Sequence, residues 1–405
     1  MGAITERSVS ALWLSGRLSC FSDDSGHRIE VVCPGRVSTR GGCDFQDVVI
    51  KIDGEKTVGD VEVHVTSDLW QRHGHHRDAD YNGVILHVSM WQRGPLPVRL
   101  QDGRILSTII LAQYFKTGAN LLQRAAAAQT RRCPHLPGSA RKGDMVIVEA
   151  GLARFEQKTH RFAQALQDGD PEQVLYKGIC RALGYAWNTK PFETLAMRVP
   201  VQMVWSHASG NLRAKYRLLL GASGLAEEGV SRLPDGMKPM KASDWSTLPS
   251  RPLNHPALRI AGLCHLLQRY EEKGMLAAVL EKIMNAPARE AATALEEAFT
   301  VVGAGSRVLI GAGRAREIAV NAVLPLIHAY GERINNLMEE KAREVFSSYP
   351  SLLPNELTRY MSGLLGNQAC GACRQQGLLH IYHNCCRTRE CGSCPVFTSR
   401  RTVPV

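Results

Sequence analysis

The run Val84-Ile85-Leu86-His87-Val88 constrains this chain more than any other. It is apolar but for one residue and does not alternate, so it reads as a strand buried on both faces, the kind found inside a sheet covered by helices. Upstream, residues 27–33, 45–52 and 60–66 also read as strands. The Gly-rich turn from Gly35 to Gly42 separates the first two, and Asp53-Gly54-Glu55-Lys56 separates the last two. Residues 3–14 place Ile4, Val9, Leu12 and Trp13 near one side of a short helix. A polar, helix-like segment precedes the buried strand, giving an α-β-β-β-α-β unit over residues 1–107.

Side chains two apart on a strand share a face, about 6 to 7 Å apart. Glu62 and His64 therefore point one way, while Val61, Val63 and Val65 point into a core. Asp44 opens the preceding strand. Two carboxylates and an imidazole in this arrangement suit a divalent-metal centre: Asp44 and Glu62 to hold Mg²⁺ or Mn²⁺, and His64, whose ordinary pKa is near 6.5, to position or deprotonate water. Without a metal the same face is a hairpin whose polar side meets water. Counted straight through, Asp44 shares a face with Val48, Ile50 and Ile52, and Asp47 lies opposite with Lys51. A bulge near Phe45 would change that count, so Asp47 is a reserve ligand. Glu6, on the opening helix, is a further candidate ligand.

Between Trp70 and Tyr81 stand His73, His75, His76, Asp78, Asp80 and Tyr81. On one helix His73, His76 and Asp80 share a face, at i, i+3 and i+7, and imidazole with carboxylate suits transition metals. The other reading gives His73, His75, His76, Asp80 and Tyr81 a supporting role beside Glu62 and His64, in contact with substrate phosphate. His87 is a satisfied core histidine or faces the site.

From Thr108 the pattern turns helical, with candidate helices at 110–128, 143–167, 171–183, 191–197, 212–221, 257–273, 276–284, 287–299, 315–330, 334–347 and 356–365. Breaks rich in Pro, Gly and Ser fall at 134–142 and 234–256. Residues 108–365 are thus a mainly helical domain. Gly303-Ala304-Gly305 and Gly311-Ala312-Gly313 lack the third Gly and the βαβ setting of a dinucleotide fingerprint, and mark a turn before a helix.

Residues 366–405 form a Cys-rich tail. Six of twelve cysteines lie between Cys370 and Cys394, whereas Cys20, Cys33, Cys43, Cys133, Cys180 and Cys264 are dispersed and read as small buried hydrophobes. Cys370-x2-Cys373 and Cys391-x2-Cys394 have the spacing of a Zn²⁺ site. Cys386-x4-Cys391-x2-Cys394 with one upstream thiolate equally suits an iron–sulfur cluster. Both readings stand.

No apolar run approaches the roughly 18 to 20 residues of a spanning helix, and the first ten residues lack a signal-peptide core, so no membrane is expected and the cytoplasm is. A net charge of +11 favours an anionic partner such as nucleic acid, although basic residues are scattered.

The succession Asp44, then Glu62-x-His64, then helix and buried strand, resembles the core of the PD-(D/E)xK restriction-endonuclease-like superfamily. The resemblance implies an α+β fold with such a core at the N-terminus, acidic metal ligands at Asp44 and Glu62, and an assisting Lys two residues after the second. Here Cys43 stands where Pro is usual, and His64 replaces the Lys. A longer set of motifs is similar to a bacterial family defined by a domain of unknown function, number 2851. It comprises Gly42-Cys43-Asp44-Phe45, Gly59-x-Val61-Glu62-Val63-His64, Ser67-Asp68-x-Trp70, His73-x-His75-His76, Tyr81-Asn82-x-Val84, Leu219-Leu220-Gly221-x-x-Gly224, Arg251-Pro252-x-Asn254-x-Pro256, Asn321-x-x-x-Pro325 and Cys386-x4-Cys391-x2-Cys394.

Three readings of function follow: a divalent-metal-dependent nuclease acting on DNA or RNA, a nuclease-like scaffold that binds nucleic acid without turnover, or a structural or interaction protein that docks through its tail.

Overall fold

The computed structural model describes residues 4–15, 19–38, 42–114, 133–136, 140–185, 187–226, 233–247, 255–366 and 370–401. The fold is α+β, an N-terminal sheet followed by a helical body. Contacts divide the chain into two units. The first holds residues 1–146, 355–368 and 378–405, and the second residues 147–354 and 369–377.

In the first unit, helix α1 (Glu6–Ser15) precedes strands β1 (Cys20–Ser22), β2 (Arg28–Cys33), β3 (Arg36–Val37), β4 (Phe45–Ile52) and β5 (Glu55–Thr66). A short helix α2 (Leu69–Arg72) and two 3₁₀ turns lead to β6 (Val84–Trp91), and β7 (Val98–Arg99), β8 (Ile105–Leu106) and β9 (Thr108–Ile110) follow. The main sheet runs β1-β2-β4-β5-β6-β9, with β3 pairing β4. Its first four members pair antiparallel, whereas β5–β6 and β6–β9 are parallel. Central parallel strands need cover on both faces, and the apolar run in β6 meets that need, with Leu86 and Val88 fully buried beside Val61 and Val63. One cover is α1, which buries Val9 and Trp13 and donates the Trp13 indole N–H to the Pro34 carbonyl at 2.9 Å. Full burial of a side chain such as Val61 or Leu86 contributes about 1.5–3 kcal/mol. Gly59 lets β5 approach β6, since a Cβ there would lie 2.3 Å from Ile85 Cγ2 and 2.9 Å from the Gly83 carbonyl oxygen.

The pairing of β4 with β5 slips between Phe45 and Val48, where Asp47 takes a left-handed conformation at φ 55°. This is the bulge that the strand count left open. Three expected helices differ. Residues 110–114 end β9 and form a 3₁₀ turn, and the rest of the expected helix at 110–128 lies outside the described residues. The run from Trp70 to Tyr81 is no single helix, because Gly74, at φ 81°, stops α2 and starts a new turn. The helix expected at 315–330 is made of Ala312–Ile318, a π turn at Ala319–Val323, and Leu324–Ile334.

The second unit is helical. Pro171–Leu183 begins under an Asp170 cap, whose Oδ2 accepts the Gln173 N–H at 2.9 Å, and continues with its apolar face in the core. Strands β10 (Val301–Val302) and β11 (Val308–Ile310) form an antiparallel hairpin around the first GxG, so no dinucleotide-type βαβ unit surrounds it. Two lysines are buried here, Lys158 against two acceptors and Lys215 against three. Lys158 Nζ lies 2.6 Å from both Asn321 Oδ1 and Gln376 Oε1. Lys215 Nζ reaches the Ala208 carbonyl, Gln268 Oε1 and Glu271 Oε2 at 2.8, 3.1 and 3.0 Å.

Candidate metal centre

Strand β5 carries Glu62 and His64 on one face, and both are buried, at 6% and 1% exposure. Asp44 reaches the same place from the start of β4. Its N–H donates to Glu62 Oε2 at 3.0 Å, and its own Oδ2 accepts the Val63 N–H at 3.0 Å. The Glu62 carboxyl is thereby held by the Asp44 backbone and the Asp44 carboxyl by that of Val63, and the slip between β4 and β5 is what permits it.

The other carboxyl oxygen, Glu62 Oε1, faces imidazoles: His75 Nε2 at 3.4 Å and His64 Nε2 at 3.7 Å. His64, His73 and His75 each offer a donor nitrogen, all within 4.8 Å of one another. The break at Gly74 explains why His73 and His75 meet there. A continuous helix would have set them apart and joined His73 to His76 instead.

A line of rings runs through the site. His73 Nδ1 lies 3.2 Å from His64 Nε2, His64 Nδ1 lies 3.0 Å from His87 Nε2, and His87 Nδ1 lies 3.4 Å from Thr108 Oγ1. With one N–H on each ring, only two polarities satisfy every link. In one, His87 donates to Thr108, His64 to His87 and His73 to His64, which leaves the Nε2 lone pair of His73 free for a metal. That is how ligating histidines are commonly fixed, through the second ring nitrogen.

Burial sets the electrostatics. It pushes the Glu62 carboxyl up to about 8, with the Asp44 charge adding to the effect. It raises Asp44 as well, where the Glu6 charge contributes. It lowers the imidazoles, helped by neighbouring rings: His75 to about 4, His87 to about 3 and His64 to about 2. The site thus holds neutral imidazoles beside a carboxyl that keeps its proton, a state that a bound cation would reverse. His75 Nε2 is buried with no hydrogen-bond partner. Such an atom costs about 1–3 kcal/mol unless something meets it, and a lone pair on a neutral ring is what a metal takes.

The remaining expected residues sit as follows. Glu6 is exposed at the start of α1, near enough for its charge to raise both carboxyls. Tyr81 packs on the His75 ring, with centroids 3.9 Å apart. His76 has a buried Nδ1 without a partner, and Asp80 is exposed in the second 3₁₀ turn. The face proposed for His73, His76 and Asp80 does not form. Asp47, the reserve ligand, is engaged elsewhere: Oδ2 accepts from Arg36 Nε at 3.1 Å and from the Tyr382 hydroxyl, and Oδ1 from Arg387 Nε at 2.8 Å.

Of the tail cysteines, Cys370 is exposed and Cys373 buried in the second unit, the Cys373 thiol pointing to the Val148 carbonyl at 3.7 Å. Cys386, Cys391 and Cys394 belong to the first unit. The signal for His87 was available in the sequence as a lone polar residue in a buried strand; its partner Thr108 carried none.

The family model described as protein of unknown function (DUF2851) matches residues 6–352, and the chain belongs to that family. No curated protein and no solved structure matches.

Proposed function

We propose that this member of the family is a divalent-metal-dependent phosphodiesterase acting on nucleic acid. One observation carries the proposal: nitrogens of buried His64 and His75 and of exposed His73 gather within 4.8 Å, with Glu62 Oε1 3.4 Å from His75 Nε2 and 3.7 Å from His64 Nε2 and Asp44 locked alongside. Further support comes from the strand order, antiparallel up to β5 and parallel to β6, which fits the nuclease-like core that the Asp44 and Glu62-x-His64 motifs resemble. The net charge of +11 favours a polyanionic substrate.

The donor set selects among metals. Carboxylates alone suit Mg²⁺, but imidazoles suit softer ions, so Mn²⁺ fits better than Mg²⁺. Glu62, His73 and His75 would hold the ion, and when bound it supplies Lewis-acid polarisation of a phosphoryl oxygen and an acidified water. Asp44 fixes the Glu62 carboxylate through its N–H and adds negative charge. His64 has both nitrogens engaged, so it orients His73 rather than taking a proton from water. His76 and Tyr81 line the approach on the 3₁₀ turns, where substrate phosphate would be met.

A second reading, a nucleic-acid scaffold without turnover, draws on that same engagement of His64, which stands where the resembling nucleases carry an assisting Lys. The two separate cleanly. The full chain, loaded with Mn²⁺, is incubated with single-stranded, duplex and branched DNA and with RNA. Cleavage that disappears in Glu62→Gln, with the circular dichroism unchanged, supports the enzyme. Salt-sensitive binding without cleavage supports the scaffold, and neither binding nor cleavage removes both.

A further inference from the structure

The C-terminal cysteines have a companion that their spacing along the chain does not reveal. Cys386 closes a π turn at Tyr382–Cys386, Cys391 opens the short turn Cys391–Ser393, and Cys394 immediately precedes the helix Pro395–Arg401. The loop between them is folded back. Arg389, left-handed at φ 56°, donates its N–H to the Cys386 carbonyl at 3.3 Å, and the Glu390 N–H returns to the Cys385 carbonyl at 2.9 Å.

Cys133 arrives at this loop from far up the chain. Its N–H donates to the Leu364 carbonyl at 2.8 Å, and the ring of His135 stands edge-on to Phe397 with centroids 4.8 Å apart. Phe397 in turn donates its N–H to the Cys394 carbonyl at 2.9 Å. The thiols are within electrostatic reach of one another. Cys133 interacts with the Cys394 and Cys391 thiols, and Cys386 with those of Cys394 and Cys133. Every described cysteine is a free thiol.

We infer that Cys133, Cys386, Cys391 and Cys394 are the four ligands of an iron–sulfur cluster. Spacing selects a cluster over a single zinc ion. Tetrahedral Zn²⁺ with Zn–S of about 2.3 Å brings every pair of sulfurs to roughly 3.8 Å. Among the described residues, the sets of three donors lying within 4.8 Å of one another contain no cysteine, so every trio of these thiols includes a wider pair. A cluster places irons and sulfides between its cysteines and holds them further apart than one ion does. The Arg389 guanidinium, which donates to Cys33 Sγ at 2.7 Å, brings a positive charge to the loop between Cys386 and Cys391 and offsets part of the negative charge that four thiolates bring. As the cluster assembles from a mixture of ferrous and ferric iron and sulfide, which needs no net oxidation or reduction, the four thiols lose their protons to solvent. Cys370 and Cys373 are left out, the former exposed and the latter turned to a carbonyl.

The inference is independent of the phosphodiesterase reading, because its test contains no nucleic acid. The full chain is purified anaerobically, reconstituted with Fe²⁺, Fe³⁺ and sulfide, and assayed for iron, acid-labile sulfide and the visible charge-transfer band. Cys133→Ser, Cys386→Ser, Cys391→Ser and Cys394→Ser should each lose most of the iron and the band, while Cys370→Ser and Cys373→Ser keep them. Alkylation of the unmutated protein gives a readout that does not depend on variants folding: Cys133 should be protected in the reconstituted chain and react after chelation, with Cys370 reactive in both. Full iron in Cys133→Ser, equal alkylation of Cys133 with and without iron, or one zinc per chain with no iron taken up on reconstitution would each overturn it.

Discussion

Two places among the described residues gather three metal-donor side chains within 4.8 Å: His64, His73 and His75 in the first unit, and Glu156, His328 and Glu332 in the second. They differ in what surrounds them. At the first, two histidines are buried, a carboxyl beside them is held up to about 8 and fixed by the Asp44 N–H, and hydrogen bonds among β5, β6 and β9 fix the His64 and His87 rings. At the second, only His328 is buried. Glu332 is exposed, and Glu156 is shared with Arg343 at 3.6 Å. Imidazole and carboxylate therefore meet in both, but only the first spends its hydrogen bonds on orienting donors. The contrast separates a built site from polar side chains that meet where two helices pack.

The largest expected effect tests that distinction directly. Glu62→Gln should cost more in Mn²⁺ affinity than the roughly 10–100-fold typical of losing an outer partner, and Glu332→Gln should leave binding unchanged in the same titration calorimetry. Equal losses would erase the difference between the two places.

The pH profile of the metal-free protein comes next. His64, His75 and His87 have folded values far below their ordinary 6.5, so as pH falls through 6.5 the unfolded chain takes up three protons that the folded site refuses down to about 4. Glu62 works the other way, since it keeps its proton up to about 8 when folded and loses it above 4.5 when unfolded. Between pH 6 and 5 the net is two protons, and stability should fall by about 2.7 kcal/mol per unit. Asp44, also raised, trims the acid end of this fall. Above about pH 7 the unfolded imidazoles have mostly lost their protons, Glu62 dominates the site's contribution, and that contribution should fall by less than about 1.4 kcal/mol per unit as pH rises toward 8. Chemical denaturation across this range should show the site's contribution peaking at about pH 7, and Mn²⁺, which needs Glu62 ionised, should flatten the alkaline side. A monotonic profile would mean that these groups are not buried as described.

Sequence periodicity made part of this site legible. Alternation in Val61-Glu62-Val63-His64-Val65 put Glu62 and His64 on one face, and the apolar run at 84–88 placed β6 in the interior. Asp44 was harder, because a straight count turns it away; only the slip at Asp47 brings it round. His73 and His75 were hidden by a helical count that Gly74 invalidates, although a glycine between two polar turns is itself a stop signal. Cys133 had no local signal. Its place depends on chain closure over hundreds of residues, which no short-range pattern encodes.

Smaller effects sharpen the contrast from each side. His87→Phe keeps every proposed ligand but removes the partner of His64 Nδ1, so the line of rings loses its fixed polarity. Mn²⁺ affinity should drop about 10–100-fold, and His87→Gln, which can still bond to His64, should recover part of it. No change would make the line a packing feature only.

At the second place the sign should reverse. Both ring nitrogens of His328 are buried without hydrogen-bond partners, and its ring lies edge-on to Phe155 with centroids 5.2 Å apart. His328→Phe removes two polar atoms that burial strips of water, and substitutes a ring of similar shape against an aromatic neighbour. Leaving such a group unpaired costs about 1–3 kcal/mol, and part of that is offset by the long approaches to Glu332 and Glu339, at 3.6 and 3.9 Å. The variant should therefore be more stable by about 1 kcal/mol in urea and bind Mn²⁺ as the parent does. A loss of stability together with a loss of bound metal would show that the second place, too, is built to hold an ion.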